Sequence, residues 1–178
     1  MPDIAGLKLI VPTSVAGSGV SVSASGQVTF TAATSVNVNG CFTSSYDNYI
    51  IVCQQAASAE ANLLFRLRVS GTDATGSNYV FQGLNAISTT VSASRNTYDH
   101  TIIGTQGNTL RNGQHFYVYG PALAQPTAMR SVIASSYQSA TITDGASTHS
   151  LSTAYDGFTV YMASGNATGT LTVYGLSQ

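Results

Sequence analysis

Short runs in which apolar and polar residues alternate recur along the chain, separated by Gly, Asn, Asp or Ser. Runs of this kind, rich in β-branched and aromatic residues, are typical of strands that bury one face. About ten such strands predict an all-β chain that folds as a jelly-roll-like antiparallel β-sandwich. The predicted strands cover residues 20–22, 27–31, 35–39, 49–54, 63–70, 78–82, 97–103, 115–120, 130–136, 157–163 and 170–174.

The last two alternating runs, 158–162 and 170–174, are separated by a seven-residue link that contains Gly and Ser. Links of this kind often join antiparallel neighbours, so we predict that these runs form a hairpin. The removal of five to ten residues from the C-terminus is then expected to unfold the domain. Residues 55–61 hold several helix formers, but seven residues are too few for a stable helix, and we predict a loop there.

Residues 1–19 are predicted to form an N-terminal arm, and residues 20–178 the sandwich domain. The arm has an apolar segment between Pro2 and Pro12 and ends in a Gly/Ser-rich hinge at residues 16–19. Such an arm either folds back on its own domain as an edge strand or pairs with another chain, since unpaired strand edges are templates for docking. Its apolar residues are Ile4, Leu7, Leu9, Ile10 and Val11.

The composition argues against nucleic acids and membranes as partners of this chain. Only 7% of the residues are charged, and the six basic and seven acidic side chains leave a net charge of −1. Six scattered cations cannot form the basic face that binds phosphates, so we expect no nucleic-acid partner. No apolar run approaches the length of about 20 residues that crosses a bilayer, so we expect no membrane partner. The first residues also lack the features of a signal peptide.

Catalytic and metal-binding motifs are missing from the sequence. The three histidines are far apart, and no nucleophile elbow, phosphate-binding loop or zinc-protease motif occurs. Asp99 and His100 fall in one predicted strand, so their side chains are expected to point to opposite faces and not to pair. We therefore predict no catalytic residue, no metal ligand and no cofactor, and we expect that the chain is not an enzyme.

The chain has two cysteines, Cys41 and Cys53. A turn near residues 44 and 45 would not place them opposite each other, and a disulfide needs Cα atoms within about 7 Å. We predict two free buried thiols, which are typical of a protein made in a reducing cytosol.

Two arginines share one side of a predicted strand. Leu63, Phe65, Leu67 and Val69 are expected to face the core, which leaves Arg66 and Arg68 on the opposite face. That face is either solvated or a subunit interface in which the guanidinium groups meet carboxylates. The candidate carboxylates are those of Asp47 and Asp73.

Two tyrosines share a face in the same way. Tyr117 and Tyr119 alternate with Phe116 and Val118, so the tyrosines are expected on the face that does not enter the core. They are either ordinary half-buried strand residues or a surface that binds protein or sugar. The absence of tryptophan weakens the interpretation as a sugar site.

Several segments resemble small structural proteins of tailed bacteriophages. Residues 42–49 read Phe-Thr-Ser-Ser-Tyr-Asp-Asn-Tyr and open a hydrophobic strand. A Leu/Arg-alternating strand follows at 64–68, then a Gly-Thr-Asp turn leading to Asn-Tyr at 71–79 and a closing Gly-Thr-Leu-Thr-Val-Tyr-Gly at 169–175. The opening segment at 19–30 is similar as well, so the resemblance covers about residues 19–178.

The resemblance implies a jelly-roll domain on the virion surface, made in the bacterial host cytoplasm and often homotrimeric. Such domains serve as capsid decoration or as tail-fibre tips. Since only about 19 residues precede the domain, we expect a capsid decoration (cement) protein that contacts the major capsid protein, partly through its apolar arm. The alternatives are a tail-fibre or receptor-binding module that recognises a host glycan or protein, and a polysaccharide depolymerase.

Overall fold

A computed structural model describes residues 6–107, 110–137 and 140–176. Within these ranges the chain is almost entirely β, and its strands form two antiparallel sheets, which confirms the predicted all-β sandwich. The strands are β1 (Leu7–Ile10), β2 (Ser14–Ala16), β3 (Val20–Val22), β4 (Val28–Ala33), β5 (Ser35–Asn39), β6 (Asn48–Ala57), β7 (Ala61–Val69), β8 (Thr72–Asp73), β9 (Tyr79–Ile87), β10 (Thr90–Tyr98), β11 (Thr101–Gln106), β12 (Arg111–Tyr119), β13 (Thr127–Ser135), β14 (Thr141–His149), β15 (Gly157–Met162) and β16 (Ala167–Leu176).

The larger sheet has ten strands, with β10, β9, β14, β13, β12, β6, β16, β4 and β3 side by side and β1 paired with β16. The smaller sheet has six, with β11, β7, β15, β5 and β2 side by side and β8 paired with β7. The arm belongs to both sheets, because β1 extends the larger and β2 the smaller. For residues 6–19 the arm therefore folds back on its own domain.

An aromatic core lies between the sheets. Phe65 of β7 stacks on Phe158 of β15, with ring centroids 5.3 Å apart, and meets Phe116 of β12 at 4.6 Å. All three side chains are buried, as are their alternate neighbours on each strand. This arrangement follows from the period-two pattern, because antiparallel strands with one apolar face bury that face against a second sheet.

The inner face is polar where β13 and β14 cross beneath β11. Ser131, Thr143 and Ser147 are buried there, and the Ser147 hydroxyl is hydrogen-bonded to the Thr101 hydroxyl. Phe81 lies across Gly145, where an added Cβ would come within 2.7 Å of its ring. A strand whose buried residues are Ser, Thr and Gly lacks the apolar alternation on which sequence analysis depends. For that reason β14 was missing from the predicted strands, whereas most of β10 was missing because that strand buries almost nothing.

The predicted C-terminal hairpin is wrong. β15 pairs with β5 and β7 in the smaller sheet, whereas β16 pairs with β6, β4 and β1 in the larger. The link between them crosses from one sheet to the other. The predicted loop at 55–61 is also partly wrong, because residues 55–57 continue β6 and only residues 58–60 form the bend before β7.

Candidate functional site

Apolar and aromatic side chains lie side by side on the outer face of the ten-stranded sheet. Cross-strand pairing places Leu9, Tyr174, Ile50 and Tyr117 in one row, because each is the direct partner of the next on adjacent strands. The neighbouring row places Leu7, Leu176, Asn48 and Tyr119 side by side in the same way. We call this surface the docking face and define it as Leu7, Leu9, Ile50, Val52, Tyr117, Tyr119, Val132, Ile142 and Tyr174.

The tyrosines of β12 form a ladder on the docking face. The Tyr117 and Tyr119 rings are parallel, with centroids 6.0 Å apart, and the His115 ring meets Tyr117 edge-on at 5.6 Å. Phe116 and Val118 are buried beneath them. The predicted orientation of these tyrosines is therefore confirmed, and their rings present a rigid amphipathic surface with few rotamers to lose on binding.

β1 joins the same face. Leu7 is 57% exposed, Leu9 is also exposed, and both lie beside β16 residues that continue the tyrosine rows. Ile10 instead packs against the core, Val11 lies exposed beyond the end of β1, and Ile4 falls outside the described residues. Sequence analysis predicted the arm and the tyrosines as two separate surfaces. They form one surface in the fold because β1 pairs with β16, and β6 lies between β16 and the tyrosine-bearing β12.

A shallow groove of about 750 Å³ crosses the docking face. Gly113 lies along it between Gln54 and Ala134, and an added Cβ at Gly113 would meet nothing within 4 Å. Tyr174 and Ile142 line it on either side. The groove therefore combines an aromatic ring and aliphatic groups with the hydrogen-bonding side chain of Gln54.

The docking face has little charge. Among the described residues, this face carries an ion pair between Arg130 and Asp144. Arg130 Nε donates to Asp144 Oδ1 at 3.2 Å, and Arg130 Nη2 donates to Asp144 Oδ2 at 2.5 Å. Because the two charges are paired with each other, docking a partner here desolvates few unpaired ions.

Arg68 is not solvated, contrary to one of the two interpretations of its strand. It lies on the outer face of the smaller sheet, is 7% exposed, and forms an ion pair with Asp73 under the β7–β8 turn. It also donates to Asn39, Thr159 and the carbonyl of Gly71. Asp73 and Arg68 are thus paired within one chain, and a contact between subunits through them stays a prediction. Val69, expected in the core, is exposed at the end of β7.

Arg66 pairs with a carboxylate that sequence analysis did not select. Its Nη2 forms an ion pair with Asp99, its Nε donates to the Asp99 carbonyl at 3.0 Å, and its guanidinium lies 4.8 Å from the Tyr161 ring centroid. Asp47 lies elsewhere, in the bend just before β6, where its carbonyl accepts the Gly120 N–H at 2.8 Å. Long-range pairing of β7 with β11 brings Arg66 to Asp99, which sequence spacing does not show.

The expectation that Asp99 and His100 cannot pair is wrong. These residues form a bend between β10 and β11 rather than part of a strand, and His100 Nδ1 lies 2.6 Å from Asp99 Oδ1. Burial alone would raise the pKa of the Asp99 carboxyl, but His100 and Arg66 together lower that pKa below its ordinary value. The cluster fastens the bend to β7.

Cys41 and Cys53 are free and buried, as predicted. Burial raises the pKa of the Cys53 thiol to about 12 and that of Cys41 further still. A thiol with such a pKa is protonated at neutral pH and is a poor nucleophile and metal ligand. The described residues also hold no group of three or more side chains suited to a metal ion.

His149 is a buried titratable group that sequence analysis did not single out. Its ring lies between Tyr79 and Tyr155, at centroid distances of 4.2 and 5.3 Å, and its Nε2 has no hydrogen-bond partner in the described part of the chain. Burial lowers the pKa of His149 below 6.5.

We expect the folded state to lose stability as the pH falls below about 6.5, because His149 of the unfolded chain then binds a proton that the buried ring does not. One such group gives a slope of at most about 1.4 kcal/mol per pH unit. Chemical denaturation at several pH values should show this slope in the natural chain and its loss in His149→Gln. Equal pH dependence of the two proteins would contradict the expectation, since His100 and His115 are common to both.

None of the described residues forms a helix of the length and apolarity needed to cross a membrane. No protein-family model matches the chain, and no curated protein is significantly similar to it.

Proposed function

We propose that the chain is a bacteriophage virion structural protein, a capsid decoration (cement) protein that binds the outer capsid through the docking face. The observation that carries the proposal is the continuity of this face, on which apolar and tyrosine side chains from six strands (β1, β16, β6, β12, β13 and β14) lie side by side. The sequence resemblance to phage structural proteins supports the setting. The proposed partner is the major capsid protein, on the virion surface, after synthesis in the bacterial host cytoplasm.

The mechanism is adhesion by contact. Burial of apolar surface stabilises a complex by about 25 cal/mol per Å² before the costs of ordering and desolvation are subtracted. The stacked Tyr117 and Tyr119 supply contact area and lose little side-chain entropy on binding. Because the face has little charge, the free-energy cost of desolvating it is small. The resemblance implies homotrimers. Several copies linked in one homotrimer can bind neighbouring sites on the repeating capsid lattice at once, so weak individual contacts give strong overall attachment through multivalency.

The test compares two matched substitutions. Val52→Asp places a carboxylate on the docking face, at a side chain that is 44% exposed; Val69→Asp makes the same change on the smaller sheet, at 37% exposure. We expect Val52→Asp to weaken binding to undecorated capsid shells about 100-fold, because an unpaired charge becomes buried in the contact. Val69→Asp should bind as the natural chain does.

Co-sedimentation with purified shells measures both variants, and thermal unfolding checks that each is folded. Equal binding by the two variants would contradict the docking face. A natural chain that does not bind shells at all would contradict the cement function itself.

A second function, a receptor-binding module of a tail fibre, is favoured by the groove. Tyr174, Gln54 and the hydroxyl of Thr170 line it together, which is the mixture of ring and hydrogen-bonding groups that holds a sugar. Under this alternative, Tyr174→Ala abolishes binding on a glycan array, and Val69→Asp, a change on the smaller sheet away from the groove, leaves that binding unchanged. If the natural chain binds no glycan on the array, the alternative fails.

A further inference from the structure

β10 is a long edge strand without the features that normally prevent edges from pairing. It covers nine residues, and in the described part of the chain it pairs only with β9. Its pairing with β9 runs from Tyr98 to Thr90 without a register shift. It contains no Pro, Gly or Lys, and its one charge is that of Arg95. A regular edge of this length with a single charge is a template for another strand.

The other edges of the described sheets are protected. β2 and β3 have three residues each and β8 has two. β1 has four residues, one of which is Lys8. β11 carries a bulge at Gly104, where φ is +144°. Short length, lysine and bulges are the devices by which natural sheets prevent pairing between molecules, and β10 has none of them.

The turn before β10 determines which of its backbone groups face outwards. Ser88 and Thr89 form a two-residue turn, and Ile87 and Thr90 are the pair that closes it. In such a hairpin the closing pair exchanges hydrogen bonds, and the bonding direction alternates along the strand. The N–H and C=O groups of Val91, Ala93 and Arg95 therefore point away from β9, towards the open edge.

From these observations we propose that β10 pairs with β10 of a second copy, antiparallel about a two-fold axis at Ala93. In this register Ala93 faces its own counterpart, and Arg95 lies opposite the partner's Val91. The two arginines are then four positions apart, about 14 Å. The Arg95 methylenes cover Val91, which is 70% exposed in the single copy.

The charge of β10 favours a second copy as its partner. β10 has no acidic residue with which a basic partner could form an ion pair, whereas two copies in this register do not place the two Arg95 side chains opposite each other. Leu84 and Ile142 are exposed on the two strands beside β10, so the paired sheets would also form one continuous apolar surface. This consequence rests on the proposed function: two docking faces on one joined sheet would bind a shell bivalently.

Cysteine cross-linking tests the register. Hydrogen-bonded antiparallel partners have Cα atoms about 5.5 Å apart, within the range of a disulfide. Ala93→Cys should form a covalent dimer rapidly under mild oxidation. Ala128→Cys, an exposed alanine on the same face three strands from β10, is the control and should remain mostly unlinked. Equal rates of cross-linking in the two variants would overturn the proposed axis.

A second pair of variants tests the backbone pairing. Ala93→Pro removes an outward N–H and keeps the hydrogen bonds to β9, whereas Ala93→Ser keeps both. Sedimentation over a wide concentration range should show even multiples of the 18.4 kDa chain for the natural protein and Ala93→Ser, and not for folded Ala93→Pro. A natural chain that remains a monomer or a lone trimer would overturn the proposal.

If Ala93→Pro does not fold, Ala93→Lys replaces it, because two facing lysines repel without altering the backbone. The shell-binding assay is separate from these measurements. Loss of the β10 pairing alone would leave each copy able to bind shells, so failure of this inference and failure of the proposed function are distinguishable.

Discussion

Removal of residues 170–178 is expected to leave a chain that does not fold. β16 pairs with β6 over ten residues and also with β4 and β1, so it lies in the middle of the larger sheet. Leu171 and Val173 are fully buried in the core, and each contributes about 1.5–3 kcal/mol. The two side chains together account for about 3–6 kcal/mol, and with the hydrogen-bonded ladders lost on both sides of β16 the loss is comparable to the roughly 5–15 kcal/mol by which a domain is stable.

Far-UV circular dichroism and thermal unfolding measure this outcome. Deletion of residues 177 and 178 alone, which leaves β16 whole, is the control and should keep the cooperative transition. The expectation fails if the longer deletion retains a cooperative transition and native β signal. The same expectation followed from the sequence because the last strand was predicted to form a terminal hairpin. In the structure the expectation holds for another reason, namely that β16 is a central strand of the larger sheet.

Gly104→Ala is expected to destabilise the domain by about 3 kcal/mol and to lower its Tm by about 10 °C. Two effects add at this bulge in β11. The backbone has a φ of +144°, which strains any residue with a side chain, and the new Cβ would lie 1.4 Å from Cδ1 of buried Ile133. Chemical denaturation measures the change in the free energy of unfolding.

Gly113→Ala is the matched control, because its Cβ would meet nothing within 4 Å. We expect it to change stability by less than about 0.5 kcal/mol. Ile133→Ala removes the clashing atoms, so the double variant Gly104→Ala/Ile133→Ala should lose less than the sum of the single losses. Additive losses would show that the two residues do not collide, and an effect of Gly104→Ala no larger than that of Gly113→Ala would contradict both the strain and the clash at the bulge.

The strands that alternation predicted well are those whose buried side is apolar. The predicted runs overlap β6, β7, β12 and β15, and each of these strands buries at least two large apolar side chains that alternate along it, such as Tyr49 and Ile51 or Phe116 and Val118. β14 buries Thr, Gly, Ser and His, and β10 buries almost nothing, so neither carries the pattern. A polar inner face becomes stable only when hydroxyl groups meet partners on other strands, which local sequence does not specify.

The candidate site was predicted in parts. Alternation in β12 correctly placed Tyr117 and Tyr119 opposite Phe116 and Val118, since the direction of a side chain depends only on its position in the strand. The union of these tyrosines with Leu7 and Leu9 depends on β16 lying between β1 and β6. The partners of Arg66 and Arg68 likewise depend on which strands and turns pack together. Pairing over such distances follows from the whole chain and not from any segment of it.

The sequence by itself determined that this chain is an all-β sandwich, that its two cysteines are buried and free, and which side of β12 faces outwards. The fold class and the outward side of β12 follow from composition and from a local period of two, which survive in any arrangement of the strands. The free cysteines were predicted correctly from a turn near residues 44 and 45, although β5 and β6 on either side of it lie in different sheets. Only the tertiary structure decided that β15 and β16 belong to different sheets, that Asp99 holds Arg66 and His100, and that one continuous face joins the arm to the tyrosines. These features depend on the order of strands in a sheet, which is set by the burial of the whole core at once.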